Sequence, residues 1–212
     1  MIDESSKLFG LSAERFTIND GEIIDKSGDR RLINIFELVE RIGGRLEVTS
    51  DYMVKAMPFS SGAHSCLLSI DVETGKVSVH RYVAVDDCGT VVNHNIVEGQ
   101  VEGGVIHGLG GSLLEELTFD DECQPLTANL LDYLIPTSMD IPEKFDFESV
   151  MTPSPFTPNG AKGVGESGTI AAHPTIFNAI NNALAKIGVR DEINIAPATP
   201  EMILRAIRNR RV

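Results

Sequence analysis

The stretch Gly160-Ala-Lys-Gly-Val-Gly-Glu-Ser-Gly168 constrains this chain more than any other. Four glycines in nine residues surround one acidic side chain, Glu166, and a helical pattern follows at once. Without a Cβ, such a backbone turns sharply and lets a ligand approach closely. A carboxylate carried there is placed by main chain rather than by a flexible stem. That suits a general base, which needs geometry first and pKa second. The plainer account is a glycine-rich turn opening a helix, with Glu166 near the N-terminus, where negative charge is favourable.

Two familiar motifs are close but fail. Gly163-Val-Gly-Glu-Ser-Gly168 fits G-x-G-x-x-G literally, yet a dinucleotide fold needs a strand immediately before it. Here Thr152-Pro-Ser-Pro-Phe-Thr-Pro158 precedes, and prolines at this density exclude a central strand. From Gly160 to Gly165 the loop also approaches a phosphate-binding P-loop, but Glu166 stands where the lysine belongs and would repel phosphate.

Composition narrows the class. The chain has 212 residues, enough for one domain or slightly more. Eighteen basic against 31 acidic residues leave a net charge of −13, which excludes nucleic acid and anionic membrane as expected partners. There is no run of 18 apolar residues, so no membrane-spanning helix is expected, and no secretory leader is visible. Cys66, Cys88 and Cys123 are odd in number and far apart, which fits a reducing, cytoplasmic setting. Without a C-x-x-C pair, an iron–sulfur cluster is not expected on this chain. The five histidines show no zinc spacing, so no metal ligand is assigned.

Read in order, Glu4 to Leu11 is a short helix. Arg15 to Ile18 and Glu22 to Asp25 are strands around the hairpin signal Asn19-Asp20-Gly21. Asn34 caps a helix through Ile42 that Gly43-Gly44 ends. Ser65 to Val72 and Lys76 to Val85 alternate as a long hairpin, central to a sheet, with Cys88 just beyond as a buried structural thiol. Asn93 to Leu117 is a long helix holding six glycines, most of them expected to serve helix–helix packing. Gln100 lies among them. Glu115 to Phe119 is expected as a strand, and Met151 to Asn159 as an extended run. Ile170 to Ile187 is a helix with Phe177, Ile180, Leu184 and Ile187 on one face, stopped by Gly188. Thr199-Pro-Glu opens a last helix through Arg208, and the basic tail Arg208-Asn-Arg-Arg-Val is expected to be solvated. The fold class is α+β, mixed β-sheets with packed helices.

Four separated motifs resemble the molybdenum-cofactor domain of the xanthine dehydrogenase/aldehyde oxidase family, and within it the large chains of carbon monoxide dehydrogenase type. They are Pro58-Phe-Ser-Ser-Gly-Ala-His64, with one serine more than the family usually carries; Asp87-Cys-Gly-Thr-Val-Val-Asn93, continuing through Val97-Glu-Gly-Gln-Val-Glu-Gly-Gly104 to Leu114-Glu-Glu116; Leu131-Asp-Tyr-Leu-Ile-Pro-Thr137; and Lys162-Gly-Val-Gly-Glu-Ser-Gly-Thr169.

The resemblance implies an oxidoreductase that oxidises an aldehyde, a heterocycle or carbon monoxide with water as oxygen source. It implies Glu166 as the catalytic base. Gln100, Lys162, Gly163, Val164 and Gly165 would contact the cofactor, a molybdopterin or its dinucleotide form with molybdenum. It also implies iron–sulfur and FAD subunits as partners in an oligomer. Only the C-terminal part of the family's large subunit is matched, so residues 1–212 read as one partial molybdopterin-binding domain that shares its cofactor with an upstream segment. Residues 1–55 form a small α/β lobe and 56–212 the cofactor-contacting core. The alternative is a non-catalytic assembly domain that completes a partner chain.

Overall fold

The computed structural model describes residues 1–190 and 192–209. The end of the basic tail, Arg210 to Val212, lies outside the described residues. The chain divides into two units, Met1–Met53 and the remainder from Val54 onward.

The first unit is built from local signals. Helix α1 (Ile2–Phe9) begins two residues earlier than its pattern predicts and stops at Gly10 in the left-handed region. Strands β1 (Phe16–Asn19) and β2 (Glu22–Asp25) pair antiparallel across Asp20-Gly21, both at positive φ, the conformation that a two-residue hairpin turn requires. A third strand that the sequence reading missed, β3 (Arg30–Asn34), pairs with β2 and runs directly into helix α2 (Ile35–Arg41). Asn34 accepts the Glu37 N–H, and Glu37 reaches back to the Asn34 N–H, a complete capping box. Phe16, Ile23, Ile33 and Leu38 form the core. Arg15 sits 2.5 Å from Asp25, and that bond first, then those from Ser27, hold the Asp25 carboxyl down to about 2.

The second unit is organised on β5 (Val77–Asp87). It pairs antiparallel with β4 (Ser61–Ile70) and parallel with β6 (Lys144–Ser149), giving a mixed sheet with β5 at its centre, as the hairpin pattern predicts. Two long helices cover this sheet. Along α3 (His94–Leu113), Val97, Val101, Val105 and Leu109 are buried at four-residue spacing. Along α4 (Ser167–Ala185), Ala172, Ile176, Ile180 and Leu184 are buried the same way. From these stripes Val101, Val105 and Leu109, with Ile176, Ile180 and Leu184, meet Tyr82 and Ala84 of β5 and Ile203 and Ile207 of α5 (Pro200–Arg208) in one apolar core. Asn93 caps α3 through the Ile96 N–H, and Thr199 caps α5 through the Met202 N–H.

Two expectations need correction. Glu115 to Phe119 is not a strand. After α3 the Leu114 and Glu115 N–H groups both fold back on the Gly110 carbonyl, and the segment that follows pairs only locally, through an isolated bridge from Phe119 to Pro125 and bonds from Thr118 to Leu126 and Thr127. Alternating residues without a neighbouring strand have no ladder to join. Helix α3 ends at Leu113 rather than Leu117, because the Glu115 N–H turns to the Gly110 carbonyl and leaves the helical ladder. Conversely, β6 is a strand where the sequence pattern predicts no element. Its Phe145 stacks on Tyr82, with ring centroids 5.6 Å apart and planes 9° apart.

Candidate functional site

The glycine loop forms where three segments converge: the end of β5, the proline-rich run at 151–159, and the N-terminus of α4. The Thr90 and Ser154 N–H groups both donate to the Gly160 carbonyl, at 3.1 and 2.8 Å. The Lys162 N–H donates to the Cys88 carbonyl at 2.7 Å. Gly89 makes this seam possible. Its φ is +68°, and a methyl group there would stand 2.2 Å from the Gly160 oxygen.

From there the loop alternates between held and open residues. Lys162 turns inward, its Nζ 3.0 Å from Asp87 and 2.9 Å from the Thr152 hydroxyl. The Val164 side chain packs against the apolar core. Gly168, in the first turn of α4, lies directly on α3. Between these anchors Gly163, Gly165 and Glu166 are exposed. Glu166 occupies the N-cap position of α4 without capping it, since its carboxylate makes no hydrogen bond among the described residues. The main-chain N–H groups of Gly163, Val164, Gly165 and Glu166 likewise find no acceptor among the described residues. The Gln100 amide oxygen stands 3.8 Å from where a methyl group on Gly165 would lie. Gln100, Gly163, Val164, Gly165 and Glu166 are thus brought to one place. Lys162 belongs to the loop by its main chain, while its amine points away from the exposed side.

Helix packing sets the position of this loop. A methyl group on Gly104 would come 3.0 Å from the Gly168 Cα, and one on Gly108 2.5 Å from the Ala172 Cβ. These glycines serve the α3–α4 crossing, as expected. Gly99 and Gly103 do not, since a methyl group on either meets nothing within 4 Å.

The acidic pair at the end of β5 went unassigned in the sequence reading. Asp86 faces His64, whose Nε2 lies 3.0 Å from the carboxylate and whose Nδ1 lies 3.0 Å from the Tyr82 hydroxyl. The His64 and Asp86 side chains are 0% and 3% exposed. Burial pushes the Tyr82 phenol up. Asp87 faces the other way, towards the loop. Burial pushes its carboxyl up, but hydrogen bonds from Thr152, Gly89 and Lys162 outweigh this and hold it well below the usual carboxylate range. The motif Asp86-Asp-Cys-Gly89 could have signalled these two residues. Thr152 offered no signal, because it meets Asp87 from 65 residues away. Cys88 is buried, and burial raises its thiol, in keeping with a structural role.

The molybdopterin cofactor-binding domain family matches residues 1–142. The nicotine 6-hydroxylase large subunit of Paenarthrobacter nicotinovorans is 41% identical over 161 residues, which is 76% of this chain and 19% of that protein. The carbon monoxide dehydrogenase large chain of Afipia carboxidovorans is 39% identical over 140 residues, 66% of this chain and 17% of that one. Among solved structures, quinoline 2-oxidoreductase from Pseudomonas putida 86 superimposes with a TM-score of 0.84 and 34% identity. That match covers 99% of this chain and 28% of that one. The chain therefore spans about a fifth of the length of the curated relatives it matches. The α+β architecture and these matches place the chain in the molybdopterin cofactor-binding domain family, with the large subunits of the xanthine dehydrogenase and carbon monoxide dehydrogenase type.

Proposed function

We propose that this chain supplies the glutamate side of a molybdenum hydroxylase site. Glu166 acts as general base, and Gln100 with the main chain of Gly163, Val164 and Gly165 contacts the cofactor. The observation that carries this reading is the row of main-chain donors from Gly163 to Glu166 that find no acceptor among the described residues, beside the Gln100 amide. A pterin with its phosphate offers acceptors to such a row, and an N–H row at a helix start suits an anionic oxygen. The open space over Gly99, Gly103 and Gly163 fits a bulky group approaching the backbone. The residues present therefore fit the cofactor.

When bound, molybdopterin with molybdenum supplies the two-electron redox chemistry, with water as the source of oxygen. The chain's own residues position and move protons. Gln100 can both donate and accept, and the glycine loop donates from backbone held at Lys162, Val164 and Gly168. The Glu166 carboxylate, which makes no hydrogen bond among the described residues, takes the proton from the oxygen that goes to the substrate. Aldehydes, heterocycles and carbon monoxide are the candidate substrate classes. The nicotine and quinoline enzymes among its relatives favour a heterocycle. Partners are the remainder of the molybdenum subunit and iron–sulfur and FAD subunits.

The alternative, a non-catalytic assembly domain, draws on the exposed Leu130, Leu131 and Met139 in the segment between α3 and β6. One experiment separates the two. In the enzyme assembled with its partner subunits, Glu166→Gln keeps the size and removes the base, so turnover falls by about 10²–10⁴-fold while molybdenum content stays equal. Turnover within a few-fold of wild type at equal molybdenum would overturn the catalytic reading and leave the assembly role.

A further inference from the structure

A lysine in an exposed glycine loop has two places to put its amine: outward, toward whatever the loop binds, or back into the protein. Lys162 takes the second. Its side chain is 11% exposed and that of Asp87 is 10% exposed, although the glycines on the C-terminal side of Lys162 lie open. The carboxylate it meets is fully used. Asp87 Oδ1 accepts the Gly89 N–H at 2.8 Å and the Thr152 N–H at 3.1 Å, and Oδ2 accepts from the Thr152 hydroxyl and from Lys162. Thr152 also lies 2.9 Å from the Lys162 amine, so β5, the proline-rich run and the glycine loop are joined at one point. The main-chain bonds from Lys162 to Cys88 and from Thr90 to Gly160 lie in the same seam.

We propose that Lys162 is a positioning residue rather than a cofactor ligand. Its ion pair with Asp87, bridged by Thr152, sets where the segment Gly163–Glu166 leaves the core. Asp87 and Thr152 are positioning residues with it. The physical case rests on the cost of the other arrangement. Swinging the amine outward would abandon a carboxylate that is already desolvated, and breaking a buried pair from one side is strongly unfavourable. The lock also answers a need of the loop. Gly163 and Gly165 are soft backbone on either side of Val164, and misplacing a catalytic group by about 1 Å can cost about 10²-fold in rate. Anchors at Lys162 and Gly168 enclose Glu166 and limit that drift. The consequence for Glu166 rests on the proposed function above, whereas the lock itself can be tested without cofactor.

The test uses the purified chain. Amines are acetylated with an N-hydroxysuccinimide ester and each lysine is followed by peptide mass spectrometry. Lys144, with a 61% exposed side chain, is the reference. Lys162 should react at least about tenfold more slowly than Lys144, and Asp87→Asn should remove most of that difference. Equal rates in the wild type, or protection that persists in Asp87→Asn, would overturn the lock and return the amine to the exposed side. Hydrogen exchange supplies a second readout. In Lys162→Met the amides of Thr90 and of position 162 should exchange about tenfold faster, while those of Leu109 and Ile180 in the core stay as in wild type. Unchanged exchange at Thr90 would overturn the positioning role. Should either variant unfold, core amides accelerate with the rest, and the wild-type acetylation contrast alone decides. Because all of these readouts are made without cofactor, failure of the lock leaves the Glu166 assignment standing, and failure of that assignment leaves the lock.

Discussion

Gly168 rests on the main chain of Val101: a methyl group added at Gly168 would come 2.3 Å from the Val101 carbonyl oxygen and 2.8 Å from the Val105 nitrogen. Backbone atoms cannot move aside as side-chain ends can, so the start of α4, and the loop leading into it, sits at a distance from α3 that only glycine permits.

Gly168→Ala should therefore destabilise the chain by about 1–3 kcal/mol, the usual cost of overpacking a close contact. Gly103→Ala should do the reverse. That residue is inside α3 with open space around it, and replacing a helical glycine by alanine gains about 0.5–1 kcal/mol. Urea unfolding of both variants reads the two signs. A stable Gly168→Ala would mean that α3 and α4 can separate without loss.

Gln100→Ala tests the amide beside Gly165. In the assembled enzyme, cofactor retention should weaken, since a hydrogen-bonding partner lost from a buried polar group costs about 1–3 kcal/mol. Molybdenum content after extensive gel filtration is the measurement, and full retention would assign Gln100 to solvent.

His64 and Asp86 form the other buried pair at the end of β5. His64→Ala leaves the buried Asp86 side chain without its facing partner and should cost about 3 kcal/mol, the upper end for an orphaned buried polar group. Tyr82→Phe removes one hydrogen bond to the same ring and should cost nearer about 1 kcal/mol. Comparable losses in chemical denaturation would show that the histidine works by volume and not through the carboxylate.

The depressed carboxyl of Asp87 gives a pH signature. A group whose folded pKa lies below its unfolded value, about 3.9, contributes stability that is present above the unfolded value and is lost as pH falls toward the folded one. The stability difference between wild type and Asp87→Asn should stay constant from neutral pH down to about 5 and narrow below about 4. A gap that changes between pH 6 and 8 would place the titration on another group.

The three thiols should separate by environment. Cys123 is exposed, whereas burial pushes the Cys66 thiol up to about 11 and raises that of Cys88. The thiolate is the reactive form. Iodoacetamide near pH 8 should alkylate Cys123 and leave Cys66 and Cys88 intact in the folded chain. Early modification of Cys88 would show that the seam beneath the glycine loop opens.

What could be read from the sequence was what neighbouring residues decide between themselves. The turn at Asp20-Gly21 and the caps at Asn34 and Thr199 involve atoms a few residues apart, so the local sequence exposes them. The long hairpin of β4 and β5 was legible for the same reason. Strand β6 was not, because Phe145 and Phe147 alternate over only six residues and their partner strand is far back in the chain. At the site, the motif register placed Glu166, Gln100 and the glycines in one region. It also assigned Lys162 to the cofactor, and what the register could not show was the direction of the amine. That direction is set by Asp87, 75 residues away, and by Thr152 in a stretch that reads only as proline-rich.

The parallel pairing of β5 with β6 has a consequence during synthesis. Arg81 and its ion-pair partner Asp146 are 65 residues apart, so at about 5–20 residues per second the ribosome delivers the second strand roughly 3–13 seconds after the first. The β4–β5 hairpin closes in microseconds by comparison. For those seconds β5 carries an unpaired edge, with Tyr82 lacking the ring of Phe145 that later covers it. An open edge of this kind is a template for pairing with another chain. Nascent copies of this protein should then be most prone to join one another, and most in need of a chaperone, in the interval after Asp87 has emerged and before Ser149 has.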